Sequence, residues 1–178
     1  MIAVGLYIHM CLIAIFAVSF LTKCFKLKPF FATIAELGFG SASSRIIGVC
    51  IVALECAAVI CLLTSRLFAA GAVIVFVLAF SFAGAAIIAF STKKNVVCSC
   101  FGDLLPEQLG KSTLYKALAI VALNISLVWI SAVSGARIGS HTWSDMLLAS
   151  LGALAALVAY AVLQSMAVYF RNTQPGKR

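Results

Sequence analysis

Residues 67–92 read LFAAGAVIVFVLAFSFAGAAIIAFST and contain no ionisable side chain. A helix needs about 20 apolar residues to cross a hydrocarbon core. An unbroken apolar run fits a helix, whereas a membrane barrel is written in short alternating segments. Four more runs lie on either side of it. Ile2 to Thr22 has His9 as its one group that charges near neutrality, and Ile46 to Ser65 is interrupted by Glu55. Ala117 to Val133 and Met146 to Phe170 complete the set. The expected fold is all-α: a polytopic transmembrane helical bundle of five spans around a four-helix core. Four spans plus one re-entrant or peripheral segment is the alternative. Residues 1–170 are expected to form a single domain, with a polar, disordered tail over 171–178.

Composition points the same way. Of 178 residues, 64% are apolar and 10% charged, against about 45–50% and about 25% in soluble domains. So few charges cannot cover a water-soluble globule, which excludes a soluble enzyme, a disordered chain and a secreted disulfide mini-protein. Thirteen Lys and Arg face five Asp and Glu. No basic run is interleaved with aromatics in a soluble segment, so nucleic acid is not the expected partner. The partner of these cations is the lipid membrane and its anionic headgroups.

The cations also orient the chain. The first connection holds Lys23, Lys26, Lys28 and Arg45, and the third holds Lys93, Lys94, Lys111 and Lys116. The tail adds Arg171, Lys177 and Arg178, while the second and fourth connections hold only Arg66 and Arg137. With five spans, the positive-inside rule predicts an integral plasma-membrane protein with the N-terminus outside and the C-terminus cytoplasmic. No Lys or Arg precedes the first run, and Lys23 ends it in place of a small-residue cleavage site, so the run reads as a retained helix.

Local signals refine the bundle. Arg66, with Thr64 and Ser65, predicts a tight hairpin between the second and third runs. Phe30, Ile34 and Leu37 recur at helical spacing, which predicts a short helix over Pro29 to Leu37 at the membrane surface, ended by Gly38 and Gly40. Small residues at Gly84, Ala149, Gly152, Ala153 and Ala156 mark expected helix contacts. Gly110-Lys111-Ser112-Thr113 looks like the end of a phosphate loop, but Leu105 stands where that motif needs glycine. Ser112 or Thr113 reads as the N-cap of the fourth spanning helix.

The stretch Val96-Val97-Cys98-Ser99-Cys100-Phe101-Gly102-Asp103 follows the charge-free run and carries the chemistry. Two cysteines one residue apart at a membrane boundary can meet water-soluble partners. A Cys-X-Cys disulfide closes a small strained ring, and strained, exposed disulfides are the labile, oxidising kind. Lys93 and Lys94 upstream would favour a thiolate. Three readings stand open: a redox pair, packing cysteines, or two of four metal ligands. Structural zinc usually leaves two or more residues between its cysteines, so no metal is expected here. Cys11, Cys24, Cys50, Cys56 and Cys61 read mainly as packing residues. Cys24 and Cys50 fall toward the same membrane face as the pair and are secondary thiol candidates. Glu55, costly in mid-span, needs a partner or a wet cavity. It serves either proton movement near the redox site or an interhelical hydrogen bond, with His9 or Asn124 as expected partner.

These residues together resemble the MauE/DoxX-like redox-associated membrane proteins, named from methylamine utilisation. The likeness runs from Leu21-Thr22-Lys23-Cys24-Phe25-Lys26-Leu27-Lys28-Pro29-Phe30, through Ala53-Leu54-Glu55-Cys56, to the Cys98-Ser99-Cys100-Phe101-Gly102 signature. It covers roughly residues 10–125. Where the family often has an arginine early in the fourth helix, Lys116 stands nearest. The resemblance implies a membrane helical bundle in thiol–disulfide exchange with a thioredoxin-like protein, supporting maturation of a disulfide-bearing client. Cys98 and Cys100 would be the exchanging pair, with Glu55, Lys23, Phe101 and Gly102 supporting them. By analogy with other four-helix thiol oxidases, a quinone is a candidate electron acceptor. The basic residues put the pair at the cytoplasmic face, whereas a four-span topology would put it outside. Two rival classes stay open: a non-enzymatic membrane anchor or assembly subunit, and a small-solute carrier with Glu55 and His9 as coupling groups.

Overall fold

The computed structural model describes residues 2–64, 66–91, 97–98, 107–108, 111–134 and 147–155, together with residues 158, 159, 162 and 166. The elements are α1 (Ile2–Phe25), α2 (Leu27–Glu36), α3 (Ser41–Leu63), α4 (Phe68–Ser91), β1 (Val97–Cys98), β2 (Glu107–Gln108) and α5 (Lys111–Ser134). Four helices among the described residues are long and apolar enough to span a membrane: Val4–Phe25, Ser41–Leu63, Phe68–Ser91 and Thr113–Val133. The protein is therefore an all-α, membrane-integral bundle. Of the expected fifth run, residues 147–155 are helical; most of the remainder, and the tail 171–178, lie outside the described residues.

The four spanning helices close into a ring. α1 packs on α3 and α5, and α4 packs on the same two neighbours. Each turns inward a stripe spaced alternately by three and four residues, the signature of bundle packing near 20°. On α1 the buried stripe is His9, Leu12, Phe16, Ser19 and Lys23. On α3 it includes Ser44, Gly48, Glu55, Ala58 and Leu62. α4 contributes Ala72, Val75, Ala79, Phe82, Ala86 and Ala89, and α5 contributes Thr113, Ala117, Ile120, Asn124 and Leu127. Bulky apolar side chains such as Phe25, Ile46, Phe80 and Trp129 point away from the bundle, where lipid is their solvent. On α1 the interior is thus the more polar side, holding His9, Ser19 and Lys23.

The chain breaks between α1 and α2 for a local reason. Pro29 has no N–H to give the Phe25 carbonyl four residues back, and its ring crowds that carbonyl. Lys26 leaves helical geometry at φ −131°, ψ 47°, although its N–H still reaches the carbonyls of Thr22 and Lys23 at 3.1 Å. Gly38 at φ 108° ends α2, a left-handed conformation that suits glycine. The expected short helix is present, but it does not simply lie on the membrane. Phe30 and Ile34 are buried, and α2 docks on the first part of α3. Gly48 makes this docking possible, because a Cβ there would come 2.4 Å from the Phe31 ring.

Other local expectations are revised. α3 starts at Ser41, earlier than the apolar run, and α5 starts at Lys111, so Ser112 and Thr113 sit in its first turn and do not cap it. Thr113 is buried there against the bundle. The α3–α4 hairpin is tight, with the Leu67 N–H on the Thr64 carbonyl at 2.9 Å. Nothing lies within 4 Å of a Cβ built at Gly84; in the small-residue stretch Ala83 to Ala86 around it, Ala86 is the buried residue. Residues 147–155 lie against α1, where Leu6 and Met10 cluster with Ala149 and Ala153. Tyr7 Oη donates to the Gly152 carbonyl at 3.4 Å, as the small-residue pattern anticipated; Ala156 lies outside the described residues.

Candidate functional site

Glu55 stands about 20 Å along α3 from Ser41, at about 1.5 Å per residue. That is well inside the candidate span Ser41–Leu63, and the helical stripe turns the carboxylate into the bundle. Its partner is neither His9 nor Asn124. Lys23 Nζ lies 2.5 Å from Glu55 Oε1, with both side chains almost fully buried. Ser19, one turn before Lys23 on α1, donates its hydroxyl to the same oxygen at 3.0 Å. Lys23 also donates to Ser19 Oγ at 2.7 Å, so three side chains form a closed ring of contacts. Glu55 Oε2 is buried with no hydrogen-bond partner among the described residues.

Lys23 therefore does not belong to the basic connection where the sequence reading placed it. It lies within α1, 2% exposed, and its charge is spent on Glu55. The ammonium is also held between two aromatic rings. Phe30 of α2 lies 5.3 Å from Nζ and Phe82 of α4 lies 5.1 Å from it. Both distances fall within the range of a cation–π contact, which strengthens as water is excluded. Four elements thus converge on one buried cation: α1 supplies it, α3 neutralises it, and α2 and α4 cover it.

The other buried polar groups are engaged elsewhere. His9 Nε2 donates to the Leu62 carbonyl at 3.0 Å and its ring meets Phe68 edge-on. Asn124 Nδ2 donates to the Ala72 carbonyl at 2.9 Å. His9 and Ser19 are about 15 Å apart along α1, and Leu12 and Phe16 fill the stripe between them.

β1, which carries Cys98, lies at the Lys23 end of the bundle. α1 runs toward this end, α3 returns from it, and α4 runs back to it, so the α4–α5 connection emerges beside α2. β1 and β2 tie that connection at its base, pairing antiparallel with Val97 opposite Gln108 and Cys98 opposite Glu107. β1 packs against α2, the helix whose Phe30 covers Lys23. Cys100, Phe101 and Gly102 lie outside the described residues, as does the side chain of Cys98. Cys24 and Cys50 are exposed on the outside of the bundle, Cys11, Cys56 and Cys61 are half-buried, and none of these five is in a disulfide. No group of three or more metal-ligating side chains occurs among the described residues.

Sequence reasoning found Lys23 and Glu55 separately but missed that they are partners. It also missed Ser19 and Phe82. The available signal was helical phase: Ser19 and Lys23 are four apart, and both fall on the stripe marked by His9, Leu12 and Phe16. In comparison with known proteins, the family described as methylamine utilisation protein MauE matches the chain over residues 1–133. That range includes the buried pair, α2, the Cys98–Cys100 segment and nearly all of α5. No curated protein and no solved structure matches the chain.

Proposed function

The chain belongs to the MauE family of methylamine utilisation proteins, and from that premise we propose that it is a membrane thiol–disulfide redox protein working through Cys98 and Cys100. The thiolate of one cysteine attacks a sulfur of a partner's disulfide, and the displaced partner sulfur takes up a proton. The second cysteine then attacks the mixed disulfide, leaving Cys98 joined to Cys100 and the partner as a dithiol. Two electrons pass to the partner in each cycle. The reverse sequence, with a thioredoxin-like dithiol as electron donor, resets the pair. Its role in the cell is to support maturation of a disulfide-bearing client.

One observation supports this reading: Cys98 stands on β1, which pairs with β2 and packs against α2 at one end of the bundle. The exposed cations Lys26, Lys28 and Arg45 lie at this end, and Lys93, Lys94, Lys111 and Lys116 flank the connection. By the positive-inside rule this end faces the cytoplasm, even with Lys23 removed from the count. A solute carrier finds less support, because Glu55 and His9 each hold a fixed partner and an apolar layer separates them. Replacing Cys100 by Ala should trap a mixed disulfide between Cys98 and the disulfide-bearing partner, visible on a non-reducing gel and lost on reduction. Full client maturation by the Cys98→Ala/Cys100→Ala protein would overturn the proposal.

A further inference from the structure

We propose that the Ser19–Lys23–Glu55 cluster is a proton-exchange site, with Glu55 Oε2 as the accepting atom. A buried ion pair normally has one stable state, since removing either charge strands the other. Here the two partners are unequally dependent. The carboxylate receives both of its hydrogen bonds on Oε1, and Oε2 has no partner among the described residues. The ammonium has further support, from Ser19 Oγ and from the faces of Phe30 and Phe82. A proton added at Oε2 leaves a neutral acid that keeps Oε1 as an acceptor. The cation it leaves is still held by a hydroxyl and two π-faces. The site is built to tolerate loss of the negative charge, not of the positive one.

The surroundings make this exchange one-sided. Toward His9 the stripe is closed by Phe16 and Leu12. Toward the cysteine connection the cover is Phe30 on α2, a helix bounded by the break at Lys26 and the left-handed Gly38. Lys23 is the only charged group acting on Glu55 among the described residues. Around it Cys24 on α1, Lys28 and Glu36 on α2, and Arg45 on α3 are exposed, and α4 has no ionisable side chain. Use of the site as a proton store for the thiols rests on the redox reading. When a thiol ionises, its proton goes to Oε2, and it returns when a thiol re-forms. Charge and mass balance without a further reactant.

The test uses the full chain in lipid nanodiscs, and it does not require disrupting the core. Glu36, Glu55 and Glu107 are the only glutamates, so Glu36→Gln/Glu107→Gln leaves Glu55 as the single one. With carbon-13 glutamate, infrared spectra then report its protonation alone. The labelled acid C=O band should appear and vanish reversibly between about pH 4 and about pH 9. Phe30→Ala should speed its hydrogen–deuterium exchange by about tenfold or more. A labelled group that stays in one form across that range overturns the inference. If Cys98 still traps its partner in that case, the redox reading survives. A titrating Glu55 in a chain that traps nothing keeps the proton site and removes its proposed use.

Discussion

Removing the Glu55 side chain is the most informative perturbation of the fold, because its magnitude can be worked from the contacts. Glu55→Ala deletes the carboxylate that Lys23 meets at 2.5 Å and leaves a buried ammonium without a counter-ion. Breaking such a pair from one side costs about 3–5 kcal/mol. Two contacts partly offset that loss: the Ser19 hydroxyl at 2.7 Å and two aromatic faces, worth about 0.5–2 kcal/mol each. The expected destabilisation is therefore at the lower end, about 3 kcal/mol. Lys23→Met/Glu55→Gln removes both charges, keeps the volumes and should cost no more than about 1.5 kcal/mol. The assay is reversible unfolding in detergent or bicelles for Glu55→Ala and, as a double-mutant cycle, for wild type, Lys23→Met, Glu55→Gln and the pair. A coupling energy of about 2 kcal/mol is expected. Additive single effects, or a Glu55→Ala cost below about 1 kcal/mol, would refute the claim that this pair ties α1 to α3.

Three further outcomes follow from other contacts. Gly48→Leu should push Phe31 out of its seat and lift α2 from α3, costing about 1–3 kcal/mol and raising protease cleavage in residues 27–40. Cys24→Ser and Cys50→Ser should leave stability within about 0.5 kcal/mol, since both thiols are exposed; if the mixed disulfide at Cys98 still forms in the double variant, neither is an obligatory relay. Asn124→Leu removes the hydrogen bond to the Ala72 carbonyl and should lower stability by about 0.6 kcal/mol, the average for such bonds between membrane helices.

The sequence was most legible where solvent decides. Each apolar run that lies within the described residues is a helix, because only hydrogen-bonded backbone survives in hydrocarbon. The end at Gly38 was also readable, since it follows from one residue's backbone chemistry; the break at Lys26, and the start of α2 at Leu27 two residues before Pro29, were not anticipated. Faces were harder. α4 is apolar on all sides, so its hydropathy cannot tell Ala79, which is buried, from Phe80, which faces outward. On α1 His9, Ser19 and Lys23 mark the interior, as Glu55 does within the apolar part of α3, the reverse of the soluble rule. Pairing was not legible at all. Lys23 sits in the last turn of α1 and Glu55 well inside α3. Only the offset between the two helices brings them level, and that offset depends on where α2 docks. Lys23 also looked like one more loop cation, because local sequence cannot distinguish a basic residue that meets water from one that reaches back into the bundle.

The position of Lys23 bears on how the chain is made. α1 emerges from the ribosome before α3, so the lysine enters the bilayer without its glutamate. A lysine in the last turn of a helix can extend its stem to the headgroups and wait there. Glu55, in the middle of its span, has no such resting place. It arrives second, when the cation that will neutralise it is already in place. An order of synthesis with the acid first would present the insertion machinery with a stranded charge at the worst depth, and a circular permutant starting at α3 should insert poorly for that reason.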